Sequence, residues 1–176
     1  KKAPVATVSA SFLSDIQTII EASKNRAYAA INIAMLERNW LLGKRIAEEE
    51  INGKKRADYG VKVIAELSRQ LTSIYGKGFT KTNLYSFLQF YKMFPEIFHT
   101  LCGKSAQPLL TWSHYRSLLR VLDSKAREWY MQEAVNETWS ARTLDRNIST
   151  QYYYRLLASQ NKAPVKREMR TKTKTY

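Results

Sequence analysis

The sequence predicts an all-α fold: a multi-helix bundle with a helix-turn-helix core, with or without a wing, and a long N-terminal helix. Glycine and proline are scarce, at six and four of 176 residues, which leaves room for long helices and argues against an all-β sandwich. The apolar share of 44% is enough to form a core. Two apolar patterns with helical spacing also flank a glycine- and lysine-rich turn at residues 75–84.

The first helical pattern runs from about Ser11 to Ile51, and Lys24-Asn25 is a point where it could divide in two. A stripe this long must be buried, either as the spine of the bundle or as a dimerisation helix, and the sequence leaves both open, so a homodimer is one expectation. The stripe comprises Ile16, Ile19, Ile20, Ala27, Ala30, Ile31, Ala34, Met35, Trp40, Leu41, Leu42 and Ile46.

A basic turn at residues 52–58 leads to a second helix, predicted from about Tyr59 to Tyr75. Gly76 is expected at its C-terminal cap, because glycine enters the left-handed region without penalty. Thr80 is the expected N-cap of the third helix, which must stop at Pro95. The second helix is expected to bury Val63, Ile64, Leu67, Leu71 and Ile74.

The remainder of the chain predicts three further helices after an irregular stretch from His99 to Thr111, in which residues 108–112 are the candidate wing. Ser113, Ser124 and Ser140 are the expected starts of these helices, and Pro164 is expected to interrupt whatever follows. Their predicted inward residues are Tyr115, Leu118, Leu119 and Leu122, then Ala126, Trp129, Tyr130 and Ala134, then Leu144, Ile148, Tyr152 and Leu156.

The formal charge of +14 is distributed unevenly along the chain. The surplus of basic over acidic residues is three in residues 1–60, six in 61–160 and five in 161–176. We therefore expect a disordered segment at 1–10, a helical domain at 11–160 and a basic tail or linker at 161–176. A basic domain favours a polyanionic partner. The alternative is a tail that only adds solubility.

Several classes of protein are excluded. The sequence has no run of about 18 apolar residues, the length needed to span a bilayer, so no membrane partner is expected. No secretory signal is apparent either. The single cysteine, Cys102, cannot form an internal disulfide and suits a reducing cytoplasm. His99, Cys102 and His114 could supply only three ligands, and a zinc site needs a fourth. His114 is expected to form structural hydrogen bonds rather than to act as a base. No phosphate loop or convergent carboxylates are found, so we expect no catalytic residue, metal or cofactor, and no enzyme in this chain alone.

A helical wheel of residues 80–94 places polar side chains opposite the apolar face formed by Leu84, Phe87, Leu88 and Tyr91. Asparagine and glutamine side chains suit the edge of adenine, while the hydroxyl groups of threonine and serine can either donate or accept a hydrogen bond. A plain surface helix, or a protein-facing surface using Tyr85 and Met93, is the alternative. The candidates for contacting base edges are Thr82, Asn83, Ser86 and Gln89.

Six basic residues are candidates for contacting phosphate. Lys77 and Lys81 lie at the start of the third helix, where free backbone N–H groups also favour anions. The other four form two pairs with a spacing of four, at which like charges repel and a polyanion would relieve the repulsion; internal salt bridges to Asp123, Glu128 or Asp145 are the alternative. These pairs are Arg116 with Arg120 and Arg142 with Arg146.

Several motifs resemble the N-terminal domain of the YhcG family. They are Gly53-Lys-Lys-Arg-Ala-Asp-Tyr-Gly60, Leu67-Ser-Arg-Gln-Leu71, Gly76-Lys-Gly-Phe-Thr-Lys-Thr-Asn-Leu84, Gln89-Phe-Tyr91, Phe94-Pro95, Leu110-Thr-Trp-Ser-His-Tyr-Arg116 and Trp139-Ser-Ala-Arg142, with Arg146. The resemblance covers roughly residues 30–160 in the same order. It implies an all-helical, helix-turn-helix-like domain that binds DNA and is joined to a C-terminal nuclease domain of the PD-(D/E)xK class.

By the same resemblance, residues from Asn161 onward look like the connection to the nuclease domain, and any nuclease activity belongs to a longer protein. The sequence therefore predicts a module that binds double-stranded DNA and positions a nuclease. The alternatives are a protein–protein interaction or dimerisation module with incidental charge, and RNA binding.

Overall fold

A computed structural model describes residues 9–52, 57–97 and 110–173. Within these ranges the chain forms α-helices and one short 3₁₀ turn, with no strand, which confirms the all-α prediction. The helices are α1 (Ala10–Asn52), α2 (Ala57–Tyr75), α3 (Lys81–Met93), α4 (Trp112–Leu118), α5 (Ser124–Asn136), α6 (Ala141–Ser149), α7 (Tyr152–Ala158) and α8 (Lys162–Thr173), and the 3₁₀ turn is Lys77–Phe79. No helix in the described ranges is both long and apolar enough to cross a bilayer.

Helix α1 is continuous through Lys24-Asn25, so the division that the sequence left open does not occur. Its two halves have different surroundings. Every residue from 9 to 31 is exposed, whereas Leu36, Trp40 and Ile46 are buried against other helices. The second half of α1 is therefore a spine of the bundle, and the first half extends away from it as an arm.

A small apolar cluster joins the second half of α1 to α2 and α3. It is formed by Ile46, Ala47, Ile64, Leu84, Phe87 and Leu88. The predicted inward residues Leu67 and Leu71 are half-buried against it, and Val63 is half-buried as well. Ile74, however, is exposed, and its predicted burial is wrong.

A larger cluster joins α1 and α3 to α4–α8 and has fully buried rings at its centre, Phe90 and Tyr130 among them. At its edge, α4 is capped by Thr111 rather than Ser113, in a capping box with His114. Leu110 and Thr111 are not in a strand and Trp112 is helical, so the described part of the candidate wing is not one. Leu122 is exposed, contrary to expectation, because α4 ends at Leu118.

The predicted last helix is split at Gln151, which adopts a left-handed φ of 52°. The Tyr130 hydroxyl bridges the break: it donates to the carbonyl oxygen of Asn147 at 3.1 Å and accepts from the backbone N–H of Tyr153 at 3.0 Å. Ser140 caps α6 as predicted, accepting from the backbone N–H of Thr143.

Residues 162–173 form a helix, although the sequence predicted a tail. Pro164 lies in the first turn of α8, where a missing N–H costs little. Met169 supplies the reason for order, because its side chain is buried in the larger cluster. A role of this segment as a linker stays a prediction. Residues 1–8, His99, Cys102 and Pro108 lie outside the described residues.

Candidate nucleic-acid interface

The turn between α2 and α3 is built by local capping. Gly76 adopts a φ of 84°, and its N–H donates to the carbonyl oxygen of Thr72 at 3.0 Å. Thr80 has extended backbone angles, and its hydroxyl oxygen accepts from the backbone N–H of Asn83, as its predicted N-cap role requires. Lys77 and Lys81 lie exposed at this entrance, and neither has a hydrogen-bond or ion-pair partner in the described part of the chain.

The solvent-facing side of α3 carries Thr82, Tyr85 and Gln89, all of which are exposed. No carboxylate interrupts the chain between Glu66 and Glu96. Unpaired lysines at the start of a helix that carries hydrogen-bonding groups and no carboxylate of its own form a surface that suits an anionic, hydrogen-bonding partner. We call Lys77, Lys81, Thr82, Tyr85 and Gln89 the α3 face.

The other two base-edge candidates are half-buried and use part of their hydrogen-bonding capacity inside the fold. The Asn83 Nδ2 donates to the carbonyl oxygen of Gly78 at 3.0 Å, which holds the turn in place. The Ser86 hydroxyl donates to the carbonyl oxygen of Thr82 at 2.9 Å. Asn83 therefore supports the α3 face from behind, while Thr82 and Gln89 have no such bond.

The structure adds one residue to this region and removes another. Lys92 is exposed and lies between Lys81 and Tyr85 on the helical wheel; its Nζ is 3.2 Å from the Glu50 carboxylate on α1. The helical wheel of residues 80–94 includes Lys92, so its place on this side of the helix could be found from the sequence. Met93 was expected on the outer side, but it is half-buried against the larger core cluster.

A second basic site lies on α4. Arg116 and Arg120, with Ser113, Ser117 and Asp145, line an open cleft of about 290 Å³. Arg120 forms an ion pair with Asp145, and the Ser117 hydroxyl donates to the same carboxylate oxygen at 3.0 Å. Arg116 is exposed and has no hydrogen-bond or ion-pair partner among the described residues. Of this pair, only Arg116 presents an uncompensated charge.

The pair on α6 is divided in the same way. Arg142 is exposed, with no hydrogen-bond or ion-pair partner in the described ranges. Arg146 is half-buried and donates to the carbonyl oxygen of Lys172 at 2.6 Å and to the hydroxyl of Thr173 at 3.2 Å. Its guanidinium therefore satisfies the C-terminal end of α8, a helix that the sequence did not predict.

Aromatic packing fixes α3 beside α4. The ring of Phe87 lies 5.4 Å from that of Trp112, and Phe90 lies 5.0 Å from Tyr115. Burial raises the pKa of the Tyr115 hydroxyl to about 12. The α3 face and the α4 cleft thus belong to neighbouring helices.

His114 is a structural residue, as expected. Its Nε2 donates to the carbonyl oxygen of Trp139 at 2.8 Å, and its Nδ1 lies 2.7 Å from the Thr111 hydroxyl. Both ring nitrogens are therefore engaged within the fold. The described residues contain no group of three or more histidines, cysteines and carboxylates placed to hold a metal ion.

The fold and the site together define a basic, all-helical domain with unpaired cations at the start of a helix whose outer side is polar. The chain matches the DUF1016 N-terminal domain over residues 15–155 and belongs to that family. It is 31% identical over 171 residues to the protein named "Putative nuclease YhcG" of Escherichia coli (strain K12). That match covers 82% of this chain and 46% of the relative, so the chain spans about half of the relative's length. No solved structure matches it. The resemblance to the YhcG family is thereby confirmed.

Proposed function

We propose that this domain binds double-stranded DNA through the α3 face and thereby positions the nuclease part of a longer protein. One observation carries the proposal: Lys77 and Lys81 lie exposed and unpaired at the start of a helix whose outer side has no carboxylate. Elsewhere on the surface many cations are already neutralised, such as Arg45 by Glu49 and Arg170 by Glu137.

The chemistry of the α3 face matches a duplex in two respects. The lysines and the free N–H groups at the start of α3 suit phosphate oxygens, which fix register without reading sequence. Gln89 and Thr82 are the side chains best placed to read base edges, because their polar groups have no partner in the described fold. Asn83 and Ser86 contribute less, since each already donates to a backbone carbonyl oxygen.

The α4 cleft extends the proposed contact. Arg116 and Arg142 are exposed and supply further phosphate contacts. Arg120 forms an ion pair with Asp145, so its contribution to phosphate binding depends on that carboxylate. Arg146 belongs to the fold rather than to the contact, because it caps α8.

The role in a longer protein comes from the relative. Its name describes a putative nuclease, and the chain covers less than half of its length. We infer that binding is the task of this domain, that cleavage is carried out by another part of the longer protein, and that it acts in the cytoplasm.

The test measures binding to a random-sequence duplex by fluorescence anisotropy at several salt concentrations. The variant is Lys77→Ala/Lys81→Ala. Its matched control is Lys166→Ala/Arg167→Ala, which removes the same charge from exposed residues of α8. We expect the α3 variant to lose about tenfold or more in affinity at low salt, and the slope of log K against log salt to become shallower by about 2. The control should change far less.

Equal losses of affinity in the two double variants would show that the duplex responds to the overall charge of the chain and not to a particular surface, and would refute the proposal. Absence of salt-dependent duplex binding by the wild-type chain would refute it as well. Competition with structured RNA completes the test: duplex DNA must compete better, and the opposite order would assign the domain to RNA.

A further inference from the structure

The first half of α1 is a helical arm that the rest of the described chain leaves uncovered. All residues from 9 to 31 are exposed, and a helix over 10–31 is about 33 Å long. Helices in proteins owe most of their stability to the packing of an apolar face against other elements. This arm has such a face but no partner for it within the described fold.

The apolar face follows a heptad pattern with alternating steps of three and four residues. The seam positions are Leu13, Ile16, Ile20, Ser23, Ala27 and Ala30. This spacing is the signature of a helix that pairs with another helix along a narrow stripe. The seam is also graded: its first three side chains are large and its last three are small.

We propose that the arm pairs with the same arm of a second copy of this chain, in antiparallel orientation. In that orientation Leu13 lies opposite Ala30 of the second copy, Ile16 opposite Ala27, and Ile20 opposite Ser23. Every layer then combines one large and one small side chain, which fills the seam evenly. A parallel pair would place large against large at one end and small against small at the other, and no single interaxial distance fits both.

The polar residue in the seam can be buried at little cost. The Ser23 hydroxyl already donates to the carbonyl oxygen of Ile19 at 2.9 Å, so burial leaves no unpaired donor.

The exposed area approaches what a stable dimer requires. The six large apolar side chains of the arm are between 39% and 61% exposed; they are Phe12, Leu13, Ile16, Ile19, Ile20 and Ile31. At about 180 Å² for each fully exposed side chain, they offer roughly 550 Å² of apolar surface per copy. Specific dimers bury about 800 Å² per partner in all, so the seam alanines and the flanking polar atoms need to supply the rest.

Sedimentation equilibrium of the chain alone tests the pairing, without nucleic acid. The wild-type chain should have twice its mass of 20.4 kDa at micromolar concentrations. Ile16→Glu and Ile20→Glu should each reduce the mass by half. Thr18→Glu, on the opposite side of the same helix, should not. Near-UV circular dichroism should be the same in all variants, because the arm does not contact the buried aromatic core.

Disulfide trapping tests the orientation. In a Cys102→Ser background, a mixture of Ile16→Cys and Ala27→Cys chains should cross-link on mild oxidation, and neither variant should cross-link by itself. Cross-linking of each variant alone would overturn the antiparallel arrangement. A monomeric wild-type chain, or dimers that survive Ile20→Glu, would overturn the proposal itself.

Discussion

Gly43 on α1 lies directly against the backbone of Phe87 on α3. A Cβ atom at Gly43 would be 2.0 Å from the Phe87 carbonyl oxygen and 2.6 Å from its carbonyl carbon. The two helix backbones can therefore approach closely only because residue 43 has no side chain. This contact sets the position of α3, and hence of the proposed DNA-binding surface, relative to the spine of the bundle.

Gly43→Ala should destabilise the domain. Alanine favours a helix by about 1 kcal/mol over glycine, but the overlap with a backbone carbonyl forces α1 and α3 apart. We expect a net loss of about 1–3 kcal/mol in the free energy of unfolding, measured by urea denaturation. Gly78→Ala is the control, because a Cβ there would meet nothing within 4 Å and its φ is not positive. An unchanged urea midpoint for Gly43→Ala would contradict the packing described here.

Gln89→Ala should relax sequence preference with little loss of non-specific affinity. The side chain is exposed at the C-terminal end of the α3 face and carries no charge, so the proposal expects it to act in base recognition rather than in salt-dependent binding. Selection from a randomised duplex pool, followed by comparison of enriched sequences, measures the effect. Gln160→Ala, at an exposed position between α7 and α8, is the control. If the enriched sequences are the same for wild type and Gln89→Ala, the role of Gln89 in base readout is wrong.

Asp145→Asn should strengthen duplex binding. The substitution removes the carboxylate that neutralises Arg120 and keeps an oxygen that can accept from the Ser117 hydroxyl. One cation is freed and one anion is lost in the α4 cleft, so we expect a roughly three- to tenfold gain in affinity at low salt and a steeper salt dependence. Glu137→Gln, which frees Arg170 on α8 instead, is the matched control. A loss of affinity in Asp145→Asn would remove the α4 cleft from the interface.

Asp123 should make stability depend on pH in the acid range. Hydrogen bonds from the backbone N–H of Ala126 and Lys125, together with one from the Tyr154 hydroxyl, hold the pKa of this N-cap carboxyl below its usual range. Its stabilising contribution is therefore present above the unfolded pKa of about 3.9 and is lost as the pH falls through the lower folded pKa. Asp123→Ala should lower the melting temperature at about pH 7, and the difference from wild type should shrink below about pH 3. Glu128→Ala, exposed on the same helix, is the control. A difference that stays constant with pH would contradict this role.

Features determined by local chemistry could be predicted from the sequence. The left-handed Gly76, the Thr80 cap and the end of α3 before Pro95 all depend on residues within one helical turn. The exposure of Thr82 and Gln89 also follows from helical periodicity, because the buried residues of α3 lie on the opposite side.

Features determined by distant contacts could not be decided from the sequence. Asp145 was one of three carboxylates offered as partners of the arginine pairs, and only the fold shows that it pairs with Arg120, 25 residues away. Arg146 binds the end of α8, a helix that depends on the burial of Met169 and was not predicted. Periodicity also misjudged Ile74 and Leu122, since it shows which side of a helix is apolar but neither which part of that side is covered nor where the helix itself ends.

Site-specific photocross-linking tests the central claim most directly. A photoreactive phenylalanine analogue replaces Tyr85, which is 38% exposed on the α3 face, or, as a control, Tyr154 on α7, which is 43% exposed. The chain is then irradiated with labelled duplex DNA. The account predicts a cross-link to the duplex from position 85 that disappears in Lys77→Ala/Lys81→Ala, and little or none from position 154. Equal cross-linking from both positions, or none from position 85 under conditions in which the duplex is bound, would contradict it.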